Sequence, residues 1–478
     1  MPRVTLGDFA QELLVQIFTF VDGKTLVNSC LLVCWSWKSA IDGSMELELV
    51  IELWADGMVA GDLPGLTIAE TLDALYERRR AWLGLNWSSR IQLKEKPFQY
   101  VYRDCLTGGV FGQLWDTLFT ATWLPSARNP TTRTSTGDIS VRASRFVMDP
   151  TQDLVVFVCL GAHNEISVDC RSLSSLKPYH LAALPMVLTD WNEYITAVDL
   201  AGDILSLFFD TGRLVLLNWR EGIDGDFPPV PADSFSLLSP RAYILGYGGD
   251  TQPRLEIWAF KGSIHNHIVT LQLPELVRPV ENPLFATYCP GFRAIPGAGQ
   301  RFSKSNDERL FVVHFLSKHL FVHFRYLLQY LTSRDGPVDV VVPWNEWGPQ
   351  HTRMLKLYED PYLSLRSVYG ERVVHCPIPE NGSAIQVLDF GMSALRRRFS
   401  GEAQPDTQCV TTLHTEPSTI SDERFVAKSV TTSLPYREVV RSVDDSDMQY
   451  DEILAVDDDH IVRVESDDLA RQPVVYTL

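Results

Sequence analysis

The sequence lacks the features that mark membrane proteins and disulfide-bonded secreted proteins. No run of about 18 apolar residues occurs in the 478 residues. Asp8 and Glu12 interrupt the start of the chain, where a secretory signal would be continuously apolar. The eight cysteines are scattered and include no CxxC pair, which favours buried, reduced thiols over a disulfide framework. We therefore predict a protein of the cytoplasm, the nucleus or both.

Motifs of catalytic or cofactor chemistry are missing as well. The sequence contains no GxSxG, P-loop, HExxH or GxGxxG pattern. Two groups of histidines, one ending at His267 and one at His323, have no third ligand at a metal-binding spacing. The acidic runs at 444–447 and 457–459 lack the ligand order and the glycine of an EF-hand. The sequence thus predicts no catalytic residue, no metal and no cofactor.

The charge balance is acidic, with a formal net charge of −18 at pH 7. Such a balance argues against nucleic acid or an anionic membrane as the main partner, and it suits a basic or neutral protein. A chain of this length exceeds the size at which one core stops growing, so we expect at least two structural units.

Two amphipathic helical stripes occupy the first 42 residues. The first stripe consists of Leu13, Leu14, Ile17, Phe18 and Val21, and the second of Leu26, Cys30, Val33, Trp37 and Ile41. Asp22 and Gly23 separate the two. A segment this short rarely folds alone, so its apolar faces must be covered by the downstream domain or by a partner protein.

The residue order of this segment resembles the F-box motif over residues 6–42. The matching strings are Phe9-Ala10-Gln11-Glu12-Leu13-Leu14, Ile17-Phe18, Val21-Asp22, Leu26 and Leu32-Val33-Cys34-Trp35-Ser36-Trp37. Ala10 replaces the proline of the motif, and Trp35 replaces its basic residue. The resemblance implies docking on a Skp-type adaptor and, through it, on a cullin. The adaptor-binding residues predicted on this basis are Leu13, Leu14, Ile17, Phe18, Val21, Leu26, Val33 and Trp37.

Residues 43–94 are predicted to form a helical linker, because Leu72, Leu75, Tyr76, Trp82 and Leu83 make a loose helical stripe. Two strings in this segment, 51–59 and 80–87, are similar to the region after the F-box in a large group of F-box proteins from mushroom-forming (basidiomycete) fungi. Weaker similarity extends to 148–154 and 344–349. This resemblance implies an F-box protein over most of the chain without indicating a target.

Residues 95–478 are predicted to be all-β and to form a propeller of six or seven blades. Six similar β-rich stretches begin at residues 166, 214, 255, 320, 385 and 461, at intervals that drift around the length of a four-stranded blade. Trp219 and Trp258 resemble the tryptophans that pack between blades of WD-type repeats. A pair of stacked β-sheets is the alternative. The LxxLxLxxN pattern of leucine-rich repeats is absent.

Together these features predict the substrate receptor of a Skp–cullin–F-box ubiquitin ligase, with no enzymatic activity of its own. An enzyme with its site in the propeller channel and a non-degradative scaffold are the alternatives. Target binding is expected on loops, with 223–236, 289–306 and 343–353 as candidate segments. Trp344 and Trp347 are candidate contacts, although both tryptophans could instead pack within a blade.

Overall fold

The computed structural model describes residues 9–61, 65–93, 103–126, 130–161, 165–183, 186–188, 193–227, 230–279, 286–288, 301–332, 340–357, 367–376, 384–391, 409–443, 452–465 and 472–478. An N-terminal helical module precedes a ring of seven β-sheets. None of the described helices is long and apolar enough to cross a membrane.

The helical module contains five α-helices and one 3-10 turn. In chain order these are α1 (Gln11–Phe18), α2 (Gly23–Asn28), the 3-10 turn Cys30–Leu32, α3 (Trp35–Asp42), α4 (Met45–Ala55) and α5 (Ile68–Gly84). Polar caps define where several of them begin. The Asp22 carboxylate accepts the Thr25 amide at the start of α2, and Thr67 and Glu70 form a reciprocal capping box on α5.

The core of the module is shared by four helices. Its buried residues are Leu14, Phe18, Leu26, Cys30, Ala40, Ile41, Leu47 and Ile51. Leu47 and Ile51 belong to α4, which lies outside the segment that resembles the F-box motif. The helices of this segment therefore bury their main apolar stripes against one another and against α4.

Seven antiparallel sheets form the blades of the propeller, and their strands follow one another along the chain. Blade 1 contains β3 (Arg103–Thr107), β4 (Val110–Trp115), β5 (Leu118–Trp123) and β6 (Arg133–Asp138). Blade 2 contains β7 (Ala143–Asp149), β8 (Leu154–Leu160), β9 (Ile166–Ser172) and β10 (Met186–Leu188), with a 3-10 turn at Pro150–Gln152. Blade 3 contains β11 (Ile195–Ala201), β12 (Ile204–Phe209), β13 (Leu214–Asn218) and β14 (Gly222–Phe227).

Blades 4 to 6 carry additional elements. Blade 4 contains β15 (Ser234–Ser239), β16 (Ala242–Tyr247), β17 (Arg254–Lys261) and β18 (Ile264–Gln272), and the strand β23 (Val340–Val342) pairs in parallel with β18. Blade 5 contains β19 (Ala286–Tyr288), β21 (Leu310–Phe315), β22 (Lys318–His323) and β24 (Thr352–Leu355). Between β22 and β24 lie α6 (Phe324–Thr332) and α7 (Trp344–His351), two helices where the sequence predicts only strands. Blade 6 contains β25 (Val368–Tyr369), β26 (Arg372–His375), β27 (Ala384–Asp389), β31 (Tyr436–Ser442) and, outermost, β28 (Cys409–His414).

The ring closes in blade 7 by pairing the two ends of the β-region. Blade 7 contains β32 (Glu452–Val456), β33 (His460–Glu465), β34 (Val474–Thr477) and β2 (Ser89–Gln92). β2 pairs antiparallel with β34, so Ser89 lies opposite Thr477. β2 falls within the segment predicted as a helical linker, and the predicted start of the β-domain at residue 95 is corrected accordingly. A second strand of that segment, β1 (Met58–Ala60), pairs with β20 (Phe302–Lys304) from the propeller.

Seven apolar cores fill the spaces between neighbouring blades, including the space between blade 7 and blade 1. This arrangement confirms the propeller, fixes the blade number at seven and excludes two stacked sheets. Trp219 is fully buried between blades 2 and 3, where its indole N–H donates to the carbonyl of Gly202 at 2.9 Å. Trp258 is half-buried beside the core between blades 3 and 4.

A hairpin inserted in blade 6, from β29 (Ser418–Ser421) to β30 (Ser429–Thr432), extends across blade 5 to blade 4; we call residues 415–435 the strap. Arg353 on β24 holds the strap from below. Arg353 is 1% exposed, and its guanidinium donates to the carbonyls of Leu434 (2.8 Å) and Glu416 (3.0 Å) and to the Ser418 hydroxyl (2.8 Å). Burial lowers the pKa of Arg353, and carbonyl oxygens satisfy its donors.

Replacing Arg353 with leucine is expected to destabilise the propeller by about 3 kcal/mol or more, because several buried carbonyls would lose their donor. Urea denaturation at neutral pH measures this free energy of unfolding. Arg142→Leu is the matched control, since the Arg142 side chain is 81% exposed and forms an ion pair with the exposed Asp116. We expect the control to change stability by about 0.5 kcal/mol or less. Equal effects of the two substitutions would contradict the role of Arg353.

Candidate functional site

The helical module exposes many large apolar side chains to solvent within a short stretch of the chain. Its members, called here the apolar docking surface, are Phe9, Leu13, Ile17, Phe20, Leu32, Val33 and Trp35. Phe20, Trp35 and Leu32 are the most exposed, at 92%, 81% and 78%. The described residues include 18 exposed large apolar side chains, and seven of them fall within residues 9–35. Apolar exposure concentrated in this way marks an interaction surface, whereas scattered exposed residues do not.

Helix geometry explains why α1 has two apolar sides. Leu14 and Phe18 lie one turn apart and face the module core. Leu13 and Ile17 are rotated by about 100° from them, and Phe20, which follows the end of α1, is exposed as well. A helix that is apolar on both sides requires a second covering surface. The described part of the propeller does not cover the second stripe, because Leu13 and Ile17 are 47% and 40% exposed.

The eight predicted adaptor-binding residues divide into three groups. Leu13, Ile17 and Val33 lie on the apolar docking surface and remain candidates. Leu14, Phe18 and Leu26 are at most 2% exposed, so the structure corrects their role to core packing. Val21 and Trp37 are half-buried and pack against this core. The sequence argument treated the apolar residues of α1 as one stripe, because it did not include α4, whose Leu47 and Ile51 share the core with Leu14 and Phe18.

Four members of the docking surface were absent from the predicted set: Phe9, Phe20, Leu32 and Trp35. Phe20 lies between the end of α1 and the Asp22 cap, where helical periodicity no longer applies. Trp35 occupies the position at which the motif has a basic residue, and it is the first residue of α3. Its departure from the motif was the signal that could have identified it as an apolar contact.

Helix α5 attaches the module to one face of the propeller. Arg78 is largely buried and donates to the carbonyl of Asp458 at 2.6 Å and to the Asp459 carboxylate at 3.1 Å. The indole N–H of Trp82 donates to the same Asp458 carbonyl at 3.1 Å. Arg441 of blade 6 donates to the carbonyl of Gly84 at 2.9 Å, at the end of α5. These contacts fix α5 over the turn that joins the first two strands of blade 7.

A buried group of charged side chains lies where α4 meets blades 5 and 6. Lys304 donates to the carbonyl of Asp56 at 2.8 Å and pairs with the Glu371 carboxylate at 2.6 Å. His323 contacts the same carboxylate at 2.6 Å, and Arg325 pairs with Glu308 at 3.1 Å. Burial opposes ionisation of Glu371, but Lys304 and His323 lower its pKa below the usual range. For Glu308, burial and the neighbouring Glu371 raise the pKa.

Three side chains of this group, Glu308, His323 and Glu371, place their potential ligand atoms within 4.8 Å of one another. Two carboxylates and one imidazole are a ligand set that a divalent metal can use. Lys304 and Arg325 already balance the charge of both carboxylates. The chemistry of the group is therefore that of an ion-pair network that joins the module to the propeller.

The three segments predicted to bind a target lie in different parts of the propeller, and the structure describes them to different extents. Residues 343–353 are mostly helix α7, and Trp347 is fully buried with its indole N–H donating to the Gln272 carbonyl at 2.8 Å. Trp347 is therefore a core residue, in agreement with the alternative that this tryptophan packs within the propeller, and it is no longer a candidate contact for a target. Trp344 is half-buried. In the segment 289–306, only 301–306 are described, and they include the strand β20 that pairs with the module.

In the segment 223–236, residues 228–229 lie outside the described residues, and β14 and β15 account for most of the rest.

The module covers the propeller face on which the first and second strands of each blade are joined. Its contacts reach this face at Lys304, Glu371 and Asp458. Because antiparallel strands alternate in direction, the turns between second and third strands emerge on the opposite face. None of the contacts described above between the module and the propeller involves those turns.

Residues 11–47 match the F-box-like domain family. No curated protein sequence matches the chain. Among solved structures, a chain of the mitotic checkpoint complex has a TM-score of 0.37 at 9% identity, with 83% of this chain and 96% of that chain covered. Sqt1 from Chaetomium thermophilum has a TM-score of 0.36 at 10% identity, with 78% and 80% covered. BamB from Moraxella catarrhalis has a TM-score of 0.37 at 8% identity, with 82% and 97% covered.

These likenesses, with TM-scores below 0.5, support no argument about function. The chain consists of an F-box-like helical domain followed by a seven-bladed β-propeller.

Proposed function

We propose that this protein is the substrate receptor of a Skp–cullin–F-box ubiquitin ligase. The observation that carries the proposal is the apolar docking surface, which lies mainly on the segment that matches the F-box-like family. F-box domains generally bind Skp-type adaptors, and the adaptor in turn binds a cullin. We therefore propose that a Skp-type adaptor buries Leu13, Ile17 and Phe20 in its interface with this protein.

The physical basis of this docking is burial of apolar area. Each large apolar side chain contributes about 1.5–3 kcal/mol when it moves from water into a packed interface. Phe20, Leu32 and Trp35 have the most exposed area to bury. Aromatic side chains at the centre of an interface are common binding hot spots, so Phe20 and Trp35 are the proposed anchors.

The attachment of the module to the propeller supports a positioning role. The contacts of Arg78, Trp82 and Lys304 hold the two parts in one orientation. We propose that a target protein binds to loops on the face opposite the module. Holding the target and the ligase at a fixed separation would promote ubiquitin transfer by proximity, with no catalytic group supplied by this chain. We propose that the protein acts in the cytoplasm, the nucleus or both.

A titration of the purified full chain with a purified Skp-type adaptor tests the proposal. We expect a one-to-one complex with a dissociation constant in the micromolar range or tighter, which then recruits a cullin fragment in size-exclusion chromatography. Failure to bind any Skp-type adaptor would overturn the proposal. Adaptor binding without recruitment of a cullin would instead favour a non-degradative scaffold. We also propose that the protein is related to F-box proteins of basidiomycete fungi, on the basis of the similarity of residues 51–59 and 80–87.

A further inference from the structure

An open groove lies at the rim of the propeller between blades 4 and 5, on the side away from the helical module. Its volume is about 450 Å³, within the range of binding sites for small ligands or peptide side chains. Three segments form its walls: the residues after β18 (272–275), the start of α7 (343–345) and the tip of the strap (425–431). Gln252, in the turn between the second and third strands of blade 4, and Pro349 of α7 complete the lining.

Two insertions beyond the basic four-stranded blade build this groove. One is α7 in blade 5 and the other is the strap from blade 6. The strap is fixed to blade 4 by the Val426 amide, which donates to the Glu275 carbonyl at 2.9 Å, and by a bridge between Phe425 and Leu276. Phe425 and Trp347 are fully buried beneath the groove. The walls are therefore ordered before a ligand binds, which lowers the entropy cost of binding.

Trp344 presents its indole to this groove in a fixed orientation. The ring contacts Trp347 edge to face at 5.3 Å between centroids. It also lies against Gly348, where an added Cβ atom would come within 2.2 Å of the ring. Pro343, Pro349 and Val426 extend the apolar lining around the indole. Among the described residues, the indole N–H of Trp344 has no acceptor, so it is free to donate to a bound backbone carbonyl.

The charge of the groove indicates the chemistry of its ligand. Glu275 is the one charged side chain among the described residues that line the groove, and it is exposed. The whole chain is also strongly acidic, with a net charge of −18. A basic side chain is the complementary partner for Glu275. Beside the groove, Val340–Val342 pairs with β18 along one edge, and among the described strands its other edge has no partner. Such an edge offers hydrogen bonds to an extended backbone.

We propose that this groove binds a short extended segment of the target protein, with an apolar side chain against Trp344 and a lysine or arginine beside it that pairs with Glu275. The inference rests on the proposed receptor function and assigns the kind of target segment to one site. It also assigns a role to Trp344 that the buried Trp347 cannot share.

A library of random 12-residue peptides displayed on phage, selected on the full chain, provides the probe. We expect enriched peptides in which an apolar residue is next to a lysine or arginine. The best peptide, synthesised and labelled, should bind Trp344→Ala at least tenfold more weakly than wild type in fluorescence polarisation. Gly348→Ala should weaken binding as well, because the added methyl group displaces the indole.

Glu275→Lys separates recognition from a merely structural effect. This exposed substitution should leave thermal unfolding unchanged and should shift the selected peptides from basic to acidic residues beside the apolar one. Glu165→Lys, an exposed charge reversal next to β9 in blade 2, is the matched control and should leave selection unchanged. The proposal is wrong if no sequence is enriched, or if Trp344→Ala and Glu275→Lys bind the selected peptides as wild type does. Adaptor titration of the same variants keeps the two proposals apart, because the groove lies far from the docking surface.

Discussion

Replacing Ile17 and Phe20 together with aspartate is expected to weaken binding of a Skp-type adaptor by about a thousandfold or more. Both side chains are exposed, Ile17 at 40% and Phe20 at 92%, so the module does not need them for its own core. Loss of two interface anchors at about 2 kcal/mol each corresponds to roughly a thousandfold in affinity, and burial of the new carboxylates adds to this loss. Isothermal titration calorimetry with purified adaptor measures the effect.

The double variant Leu14→Ala, Phe18→Ala serves as the comparison, because it changes buried residues of the same helix. These side chains are 1% and 2% exposed, and each truncation is expected to cost about 2–5 kcal/mol of module stability. This variant should lose adaptor binding together with the helical order of the module, as monitored by limited proteolysis. The aspartate variant should lose binding while the module resists proteolysis as in wild type. Wild-type affinity in the aspartate variant would show that the apolar docking surface is not the adaptor site.

The sequence predicted the helices of the module but not their orientation. A spacing of three or four residues identifies an apolar stripe, and α1 carries two of them, one through Leu14 and one through Leu13. Which stripe faces inward depends on α4, whose Leu47 and Ile51 complete the core. That contact is tertiary, and nothing in the local pattern of residues 11–18 encodes it.

The propeller was predictable from the sequence because its third strands are the most regular part of each blade. Five of the six recurring stretches are the third strands of blades 2 to 6, and the sixth, at Ile461, is the second strand of blade 7. These strands are paired on both sides, so they carry dense apolar residues such as those of Leu214–Asn218. The interval from 255 to 320 is lengthened by the segment between β18 and β21, which contains β20. The next interval, from 320 to 385, is lengthened by α6 and α7, and the last by the strap. The closing strand Ser89–Gln92 gave no signal, since four residues after a helix show no periodicity.

Disrupting the ion pair formed by Asp457 and His460 is expected to weaken the contact between blade 7 and blade 1, where the ring of blades closes. Both residues lie in or next to the turn between β32 and β33, and their exposed fractions are 1% and 3%. The imidazole contacts the Asp457 carboxylate at 2.9 Å and the carbonyl of Pro125 in blade 1 at 2.5 Å. The same carboxylate accepts the amide of Gly109 in blade 1 at 2.6 Å. The pair thus joins blade 7 to blade 1 without any covalent link.

The charges of this pair set the pH range in which it stabilises the ring. Burial opposes both charges, but Asp457 raises the pKa of His460 to about 9, and His460 lowers the pKa of Asp457 to about 2. A histidine whose pKa is raised on folding stabilises fully below its unfolded value, and the contribution is lost as pH rises through 9. An aspartate whose pKa is lowered stabilises above its unfolded value, and the contribution is lost as pH falls through 2. The full contribution is therefore present between about pH 4 and 6.5.

We expect His460→Gln to lower the free energy of unfolding by about 3 kcal/mol or more at pH 6.5, because it leaves the Asp457 carboxylate buried without its cation. Urea denaturation of wild type and variant at pH 6.5 and pH 10 measures the difference. At pH 10 the difference in the free energy of unfolding between wild type and variant should be about 3 kcal/mol smaller, since wild-type His460 has then lost its proton. His180→Gln is the control. Because His180 is exposed, this variant should have the same free energy of unfolding as wild type at both pH values. If His460→Gln lowers the free energy of unfolding equally at both pH values, His460 acts through packing, and its charge does not help to close the ring.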